Sequence, residues 1–167
     1  MSDNTRDGRL DVVKILLEHG ADLDAKDNDY STPLLLASYF GSVEGTQVMF
    51  EHGANIHARS KKGRTPLHQT LADMDDAIDS LDMFLGIVRW LLAHGADIDA
   101  LDDDHATPLH LASHYGSAKG AQLLLEHGAK VHLEDKKGKT PFQIASDRGH
   151  EEITQLLSEH LQSQQNM

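Results

Sequence analysis

Cysteine is absent from this chain of 167 residues, so the chain can form neither disulfide bonds nor thiolate zinc sites. That composition suits a reducing compartment, and we expect a cytoplasmic or nuclear location. No apolar run approaches the roughly 20 residues that a membrane-spanning helix needs. Residues 1–9 are polar, unlike the start of a secretory signal. The sequence therefore predicts no membrane association.

Basic and aromatic residues are both scarce. Lys and Arg number 15 against 27 Asp and Glu, which gives a formal net charge of −12. Nucleic-acid binding draws its affinity from neutralising phosphates, so this charge argues against nucleic acid and favours basic partners. Three Tyr, four Phe and one Trp make up all the aromatic residues. Any aromatic residue at an exposed position is therefore informative.

Only four prolines occur, and each belongs to a phrase that opens with Thr-Pro. The phrases occupy residues 32–35, 65–68, 107–110 and 140–143, so successive phrases begin 33, 42 and 33 residues apart. A Gly-Ala pair keeps the same steps, at residues 20–21, 53–54, 95–96 and 128–129. Two phrases that hold one register indicate an internal repeat.

Each repeat has the pattern of two short helices. In the third full repeat, Thr107 can cap a helix that Pro108 opens, Gly116 ends it, and a second helix runs to Gly128. Helices this short are not stable alone in water, so neighbouring repeats must stack and bury a shared apolar seam. The residues after each Gly-Ala pair are rich in Asp, His and Gly, which favours a projecting turn.

The 33-residue period and the Thr-Pro-Leu-His phrase resemble those of the ankyrin repeat, and the resemblance covers almost the whole chain. It implies an all-α solenoid of stacked helix-turn-helix units with β-turn or hairpin fingers. The register divides the chain into a partial first repeat (1–27), three repeats (28–60, 61–102 and 103–135), and a C-terminal capping repeat with a short tail (136–167).

The first repeat lacks the Thr-Pro phrase. If Gly8 matches Gly41, residues 1–7 must supply its first helix, although residues 2–5 are polar where other repeats place leucine and alanine. Either these residues form a polar cap or the chain was cut from a longer array, and we favour the second reading. The last repeat has the polar face that a terminal repeat needs, and we expect a frayed tail at 162–167.

The repeat at 61–102 carries nine extra residues near 74–82, where Met74 replaces the glycine that ends the first helix elsewhere. Apolar residues continue across this segment at helical spacing: Leu67, Leu71, Met74, Ile78, Leu81 and Leu85. That spacing predicts a helical insertion that lengthens the first helix by about two turns. Its aspartate-rich face, between Asp73 and Asp82, is either simply solvated or an acidic docking surface.

Twelve histidines occur, and the register separates most of them. Five fall at the end of the second helix: His19, His52, His94, His127 and His160. Stacked helices lie about 8–10 Å apart, whereas zinc holds its nitrogen ligands at about 2.0–2.1 Å. We therefore expect no metal site, and we expect His68 and His110 to join neighbouring turns by hydrogen bonds. No catalytic motif occurs, so we expect neither enzyme activity nor a cofactor.

The finger tips and the ends of the first helices carry the candidate partner site. The tips alternate between acidic or aromatic and basic, and aromatic residues follow in the helices behind them. The resemblance implies that such positions, together with a concave helix face, bind partner proteins. The candidate residues are Tyr30, Tyr39, Phe40, Lys61, Lys62, Arg64, His105, His114, Tyr115, Lys136, Lys137 and Arg148. Alternatively, opposite tips attract one another and the aromatic residues pack locally.

Tyr30 and His105 stand in the column where Gly63 and Gly138 supply a turn glycine. We expect this position to have a positive φ, at which a bulky residue costs about 1–2 kcal/mol. The sequence as a whole favours a non-enzymatic module that binds another protein. The alternative is a spacer or regulatory segment excised from a larger signalling protein or enzyme whose other parts perform the chemistry.

We expect the chain to be monomeric at micromolar concentration, because its terminal face is polar and its net charge is large. Light scattering would test this. A stable dimer would contradict the expectation, and the incomplete first repeat around Leu10, Val13 and Leu17 would be the first place to look for its interface.

Overall fold

A computed structural model of the protein describes residues 3–72 and 81–165, with side chains at 10–72 and 81–164. All regular secondary structure in these ranges is helical, as the sequence predicts. The helices are α1 (Asp3–Glu18), α2 (Pro33–Tyr39), α3 (Val43–Glu51), α4 (Pro66–Leu71), α5 (Leu81–Ala93), α6 (Pro108–Tyr115), α7 (Ala118–Glu126), α8 (Pro141–Arg148) and α9 (Glu151–Gln165).

The helices form two packed rows. In the inner row α2, α4, α6 and α8 each pack against the next, and in the outer row α1, α3, α5, α7 and α9 do the same. Each inner helix also packs against the outer helix that follows it in the chain. This stack of helix pairs is the solenoid that the repeat pattern predicts.

The helix boundaries in the repeat at 103–135 show why the sequence folds this way. Thr107 has extended backbone (φ −87°, ψ 168°) and Pro108 occupies the first helical position of α6. Gly116 ends α6 with φ at 83°, in the left-handed region. The Ser117 hydroxyl then accepts a hydrogen bond from the Gly120 N–H at 3.2 Å, which caps α7.

The apolar seam between the rows is fully buried. Leu67 and Leu109 occupy equivalent places on inner helices, and Leu91, Leu124 and Leu157 do so on outer helices; all five have no exposed area. They belong to one continuous cluster of buried side chains. Burying each leucine side chain stabilises the fold by about 1.5–3 kcal/mol. Since each layer is completed by its neighbours, that stabilisation is shared along the stack.

The first repeat differs from the expectation. α1 is one continuous helix that passes through Gly8, so this glycine does not separate two helices. Gly41, Gly116 and Gly149 each adopt a positive φ after an inner helix that a Thr-Pro phrase opens. Gly8 belongs to the repeat that lacks this phrase, so nothing in its sequence starts a separate inner helix there. α1 consequently joins the outer row, against α3.

The prediction of a lengthened first helix in the repeat at 61–102 is wrong for the described residues, because α4 ends at Leu71. Leu81 and Leu85, which the spacing assigned to that helix, belong instead to α5, where they lie buried on one face with Val88. Helical spacing alone does not show which of two successive helices owns a residue. Residues 73–80 lie outside the described ranges, so a helical insertion near 74–82 and the role of its acidic face stay predictions.

The expected frayed tail is helical as far as Gln165, because α9 continues to that residue. Leu157 anchors the helix in the seam. Beyond it, the Ser163 hydroxyl donates to the His160 carbonyl at 2.7 Å, and Gln164 contacts the His160 ring at 2.9 Å. These side-chain bonds support the last described turns.

Two buried histidines tie the inner helices to the fingers. The Thr65 N–H donates to His68 Nδ1 at 3.2 Å, and His68 Nε2–H donates to the Ala106 carbonyl at 3.0 Å. His110 bonds in the same way to the Thr107 N–H and the Lys139 carbonyl. The predicted role of these histidines in joining neighbouring turns is confirmed. Since Nδ1 accepts and Nε2 donates, each imidazole is held in its neutral form.

Burial lowers the pKa of His68 to about 4, from an ordinary value of 6.5. Between those values the unfolded chain binds the proton and the folded chain does not. The free energy of unfolding therefore falls as the pH falls through this window, by about 3 kcal/mol at most. Burial also lowers the pKa of His110, so its effect has the same sign.

Replacing His68 with glutamine should remove part of this acid sensitivity. The chain supplies the precedent: Gln143 occupies the equivalent position, and its Oε1 accepts from the Thr140 N–H at 2.9 Å. Urea unfolding near neutral pH and near about pH 4.5 should show a smaller loss for His68→Gln than for the native chain. Equal losses in the two proteins would contradict the assignment.

Candidate partner-binding surface

Four short hairpins project from the stack, at residues 27–31, 60–64, 102–106 and 135–139; we number them finger 1 to finger 4. In each, the first N–H donates to the last carbonyl at 2.9–3.2 Å, and the fourth N–H donates to the first carbonyl at 2.8–3.0 Å. This is the bonding of a hairpin closed by a tight turn. The fingers predicted from the sequence are therefore present.

Side chains stiffen each finger from within. At the first position of fingers 1, 3 and 4, Asp27, Asp102 and Asp135 accept from the third and fifth N–H groups at 2.8–2.9 Å. In finger 2 the Ser60 hydroxyl accepts from the Arg64 N–H at 3.3 Å. Aspartate favours such turns because its carboxylate can bond the backbone two residues further on.

Backbone hydrogen bonds also join each finger to the next. The Lys61 N–H donates to the Asp29 carbonyl at 2.8 Å, and the Lys136 N–H donates to the Asp104 carbonyl at 2.9 Å. Between them, the Asp103 N–H donates to finger 2 at 3.0 Å. The four tips therefore form one connected edge that fixes their side chains relative to one another.

A groove of about 440 Å³ lies between fingers 1 and 2 and the end of α2; we call it groove A. Leu36, Tyr39 and Phe40 form its apolar side, and Phe40 is 73% exposed. The Tyr39 and Phe40 rings meet edge to face with centroids 5.1 Å apart. The polar side consists of Asp27, Asp29, Ser31, Ser60, Lys61, Lys62, Arg64 and Gln69.

A smaller groove of about 190 Å³, groove B, runs along fingers 3 and 4 and the helices α6 and α8. Arg64 lines both grooves, so they are neighbouring parts of one surface. The His114 ring lies in groove B and meets the Tyr115 ring edge to face at 4.8 Å. The remaining lining residues are Asp102, Asp104, Ala106, His110, Leu111, Asp135, Lys136, Lys137 and Ile144.

Some charged tips do attract one another, as the alternative reading proposed. Arg59 lies 3.3 Å from Asp103, and Arg64 Nε lies 3.6 Å from the buried carboxylate of Asp102. Other cations of this surface form no ion pair with any residue that the structure describes: Lys61, Lys62, Lys136, Lys137 and Arg148. Mutual attraction therefore explains only part of the charge pattern.

Positive charge accumulates around His114. Partial burial lowers the pKa of this histidine, and the nearby charges of Arg148, Arg64, His150 and Lys137 lower it further. His114 is consequently a neutral imidazole in a locally positive environment. That environment is notable in a chain with a net charge of −12, since most of its surface repels anions.

Tyr30 and His105 both have φ at 59°, and they are the only non-glycine residues with positive φ in the described ranges. Gly63 and Gly138, in the same column, have φ at 70° and 71°. The prediction of a left-handed tip is confirmed. Two fingers thus carry exposed side chains at a position where the other two carry glycine.

The structure brings eight of the predicted site residues into the two grooves: Tyr39, Phe40, Lys61, Lys62, Arg64, His114, Lys136 and Lys137. The other four lie outside the groove linings: Tyr30, His105, Tyr115 and Arg148. Tyr115 and Arg148 flank His114, whereas the Tyr30 ring faces Lys26 Nζ at 5.8 Å. Their role in binding stays a prediction.

Leu36, on the apolar side of groove A, is not among the residues predicted from the sequence. Leu36 is 37% exposed although Leu34 and Leu35 are fully buried. Three successive leucines cannot all face one side of a helix, which advances 100° per residue at about 3.6 residues per turn. The third leucine was therefore the available signal. Ile144 in groove B offers no comparable signal, because its place in the lining depends on residues that converge from other elements.

The histidine column at the outer helix ends is explained by local bonds. His19, His52, His94 and His127 each donate from Nδ1 to the carbonyl four residues earlier, at 2.7–2.9 Å. The same carbonyls also accept the backbone N–H of each histidine at 3.1–3.2 Å, so the ring adds a second bond at the helix end. Within the described ranges, no group of three or more His, Cys, Asp or Glu residues is placed to hold a metal ion. None of the described helices combines the length and apolar character needed to cross a bilayer.

Stacked helix pairs with bonded hairpin fingers define a class of α-helical solenoid. The family model for ankyrin repeats, which holds three copies, matches residues 4–85 and 77–167. The chain therefore belongs to the ankyrin-repeat family. It is similar to the transient receptor potential cation channel subfamily A member 1 of Drosophila melanogaster, with 34% identity over 122 residues. The match covers 70% of this chain but only 9% of that relative.

The left-handed finger tips give a direct test of strain. Replacing Tyr30 or His105 with glycine should raise the free energy of unfolding by about 0.5–1 kcal/mol, because relief of about 1–2 kcal/mol outweighs the entropic cost of glycine. Urea or thermal unfolding measures the change. Gly138→Ala is the matched control and should destabilise the fold, since an added Cβ meets no atom closer than 3.9 Å and only φ opposes it. A loss of stability in both glycine variants would contradict the reading.

Proposed function

We propose that this chain is a non-enzymatic protein-binding module whose partner occupies grooves A and B and the finger tips. Family membership supports the general role, because ankyrin repeats generally serve as interaction modules and not as enzymes. We further propose a cytoplasmic or nuclear setting, in keeping with the lack of cysteine.

The observation that carries the proposal is where the exposed aromatic side chains lie. Tyr30, Phe40 and Tyr115 are 54%, 73% and 44% exposed, and all other aromatic residues of the chain are buried or half-buried. All three belong to the finger side of the molecule. Phe40 and Tyr115 occupy equivalent positions two repeats apart, each directly before a glycine that ends an inner helix. Aromatic residues are enriched among the anchors of protein interfaces.

Site-specific cross-linking tests the location of the partner. A photoreactive amino acid at Phe40, introduced into the whole chain, should capture a protein from an extract of the source cells. The same amino acid at Leu161, which is 37% exposed on the outer helix α9, is the matched control. A protein captured equally from both positions, or only from Leu161, would contradict the proposal.

Truncation of Tyr115 should weaken binding of the captured partner. Interface energy is concentrated in a few anchors, so Tyr115→Ala should raise Kd by at least about fivefold, which corresponds to about 1 kcal/mol. Calorimetry would measure the change, with unfolding curves to verify that the variant folds. Leu161→Ala removes a similarly exposed apolar side chain and should leave Kd unchanged. Equal affinity of the native chain and Tyr115→Ala would count against the anchor.

A second candidate is a spacer or regulatory segment within a larger protein. Two observations favour it. A relative that the chain matches is named as a cation channel, and the match covers 9% of that relative. In addition, α1 exposes Val12, Ile15 and Leu16, each by more than half. In an ankyrin stack such an apolar face is where a further repeat would pack. The flanking reading frame would distinguish the two: further Thr-Pro phrases in register upstream support the segment, and a stop codon in frame there excludes an upstream repeat.

A further inference from the structure

Four lysines without ion pairs dominate the tips of two fingers. Lys61 and Lys62 lie on finger 2, and Lys136 and Lys137 lie on finger 4; all are exposed. None forms an ion pair with the residues that the structure describes, although the chain carries 27 acidic residues. Adjacent like charges repel each other. Negative charge from a partner would offset that repulsion.

The two lysine pairs occupy equivalent positions, two repeats apart. Backbone bonds along the finger edge hold them in place, through the N–H groups of Lys61 and Lys136 and the carbonyl of Lys62. Neighbouring helices in a stack are about 8–10 Å apart, so the two pairs are separated by roughly 16–20 Å. The surface thus presents two positive points at a fixed spacing.

The space between the two pairs is less positive. Asp104, at the tip of finger 3, forms no ion pair with any described residue. Arg64 lies between the grooves; its Nε is buried, makes no hydrogen bond to any described group, and approaches Asp102 only to 3.6 Å. Because this contact is long for an ion pair, the Arg64 guanidinium can still bind a carboxylate of a partner molecule. A matching ligand would be acidic at both ends and mixed or neutral in the middle.

An apolar contact site adjoins the first lysine pair. Leu36 and Phe40 line groove A together with Lys61 and Lys62, and both apolar side chains are exposed. The Phe40 ring remains 73% exposed although it meets the Tyr39 ring edge to face. A ligand that places carboxylates on Lys61 and Lys62 can therefore place an apolar side chain against Phe40.

We propose that the partner binds through an extended acidic segment, with an apolar anchor in groove A and two acidic clusters on the lysine pairs of fingers 2 and 4. This inference rests on the proposed function and adds the chemistry of the partner. An extended chain advances about 3.3 Å per residue, so the two acidic clusters lie roughly five to six residues apart. The surface selects against a nucleic-acid strand, whose evenly spaced phosphates would meet Asp29 and Asp104.

Selection from a random peptide library tests the chemistry without knowledge of the partner. Peptides of about 12 residues span roughly 40 Å when extended, which covers both lysine pairs. The immobilised full chain should enrich peptides with two acidic clusters and a nearby apolar residue. A single-stranded oligonucleotide of matched length serves as the competing polyanion, and preferred binding of that oligonucleotide would overturn the proposal.

Paired variants then test the contacts by fluorescence anisotropy with a selected peptide. Lys61→Ala with Lys62→Ala, and separately Lys136→Ala with Lys137→Ala, should each raise Kd by about fivefold and weaken its salt dependence. Lys14→Ala is the control, because Lys14 is exposed on α1, which packs on the outer row. Lys136→Glu with Lys137→Glu should restore binding of a peptide whose second acidic cluster is replaced by lysine.

The outcomes separate this inference from the proposed function. Enrichment of basic or uncharged peptides that lose binding in Phe40→Ala overturns the acidic partner and leaves the binding surface standing. Acidic peptides that bind the lysine variants as well as the native chain overturn the assignment to fingers 2 and 4. Failure to enrich any peptide overturns the extended-segment inference, while cross-linking from Phe40 still decides the proposed function.

Discussion

The hydrogen bond from His68 to the Ala106 carbonyl is the link on which the position of finger 3 depends. It fixes the base of that finger to an inner helix of the preceding repeat, while the backbone bond from Asp103 to Lys62 fixes its tip. His110 and Lys136 hold finger 4 in the same way. Each of these fingers is therefore held at two points, and its side chains have little freedom relative to the helices behind it.

Finger 2 lacks the first of these links. The position equivalent to His68 in the preceding repeat is Leu35, which is buried but offers no hydrogen bond. The base of finger 2 therefore lacks a side-chain hydrogen bond from the preceding inner helix, and the bond from Lys61 to Asp29 holds its tip. Groove A, beside fingers 1 and 2, also has the larger volume of the two grooves. The two halves of the surface thus differ in constraint, and the less constrained half carries the more exposed aromatic ring.

Most of the architecture could be predicted because the signals are local and repeated. Thr107, Pro108 and Gly116 specify a helix start and stop by backbone chemistry alone, and recurrence at fixed steps confirms each assignment. The errors fall where the repeat signal is missing. Gly8 belongs to the repeat without a Thr-Pro phrase, and α1 continues through it. Leu81 and Leu85 fit either of two successive helices, and only packing against the seam places them in α5.

The surface was only partly predictable for a related reason. Exposed tips could be found by alignment of the repeats, and the left-handed φ of Tyr30 followed from the glycines in its column. Groove linings depend on which side chains converge from different repeats, as Arg64 and Ile144 do in groove B. The sequence also does not show which charges neutralise each other. Only the distances between charged atoms show that Arg59 pairs with Asp103, whereas Lys61 and Lys62 form no ion pair with any described residue.

Backbone strain and unpaired charge occur on the same surface, and both are features that a binding site would explain. Tyr30 and His105 occupy a backbone conformation that glycine would adopt at lower cost. The lysines of fingers 2 and 4 keep like charges adjacent in a chain with a large excess of acidic residues to pair with. Neither feature stabilises the stack, whose stability comes from the leucine seam and the histidine links. Destabilising features of this kind concentrate at functional sites. Here both lie along the edge that the backbone bonds between the fingers hold in place.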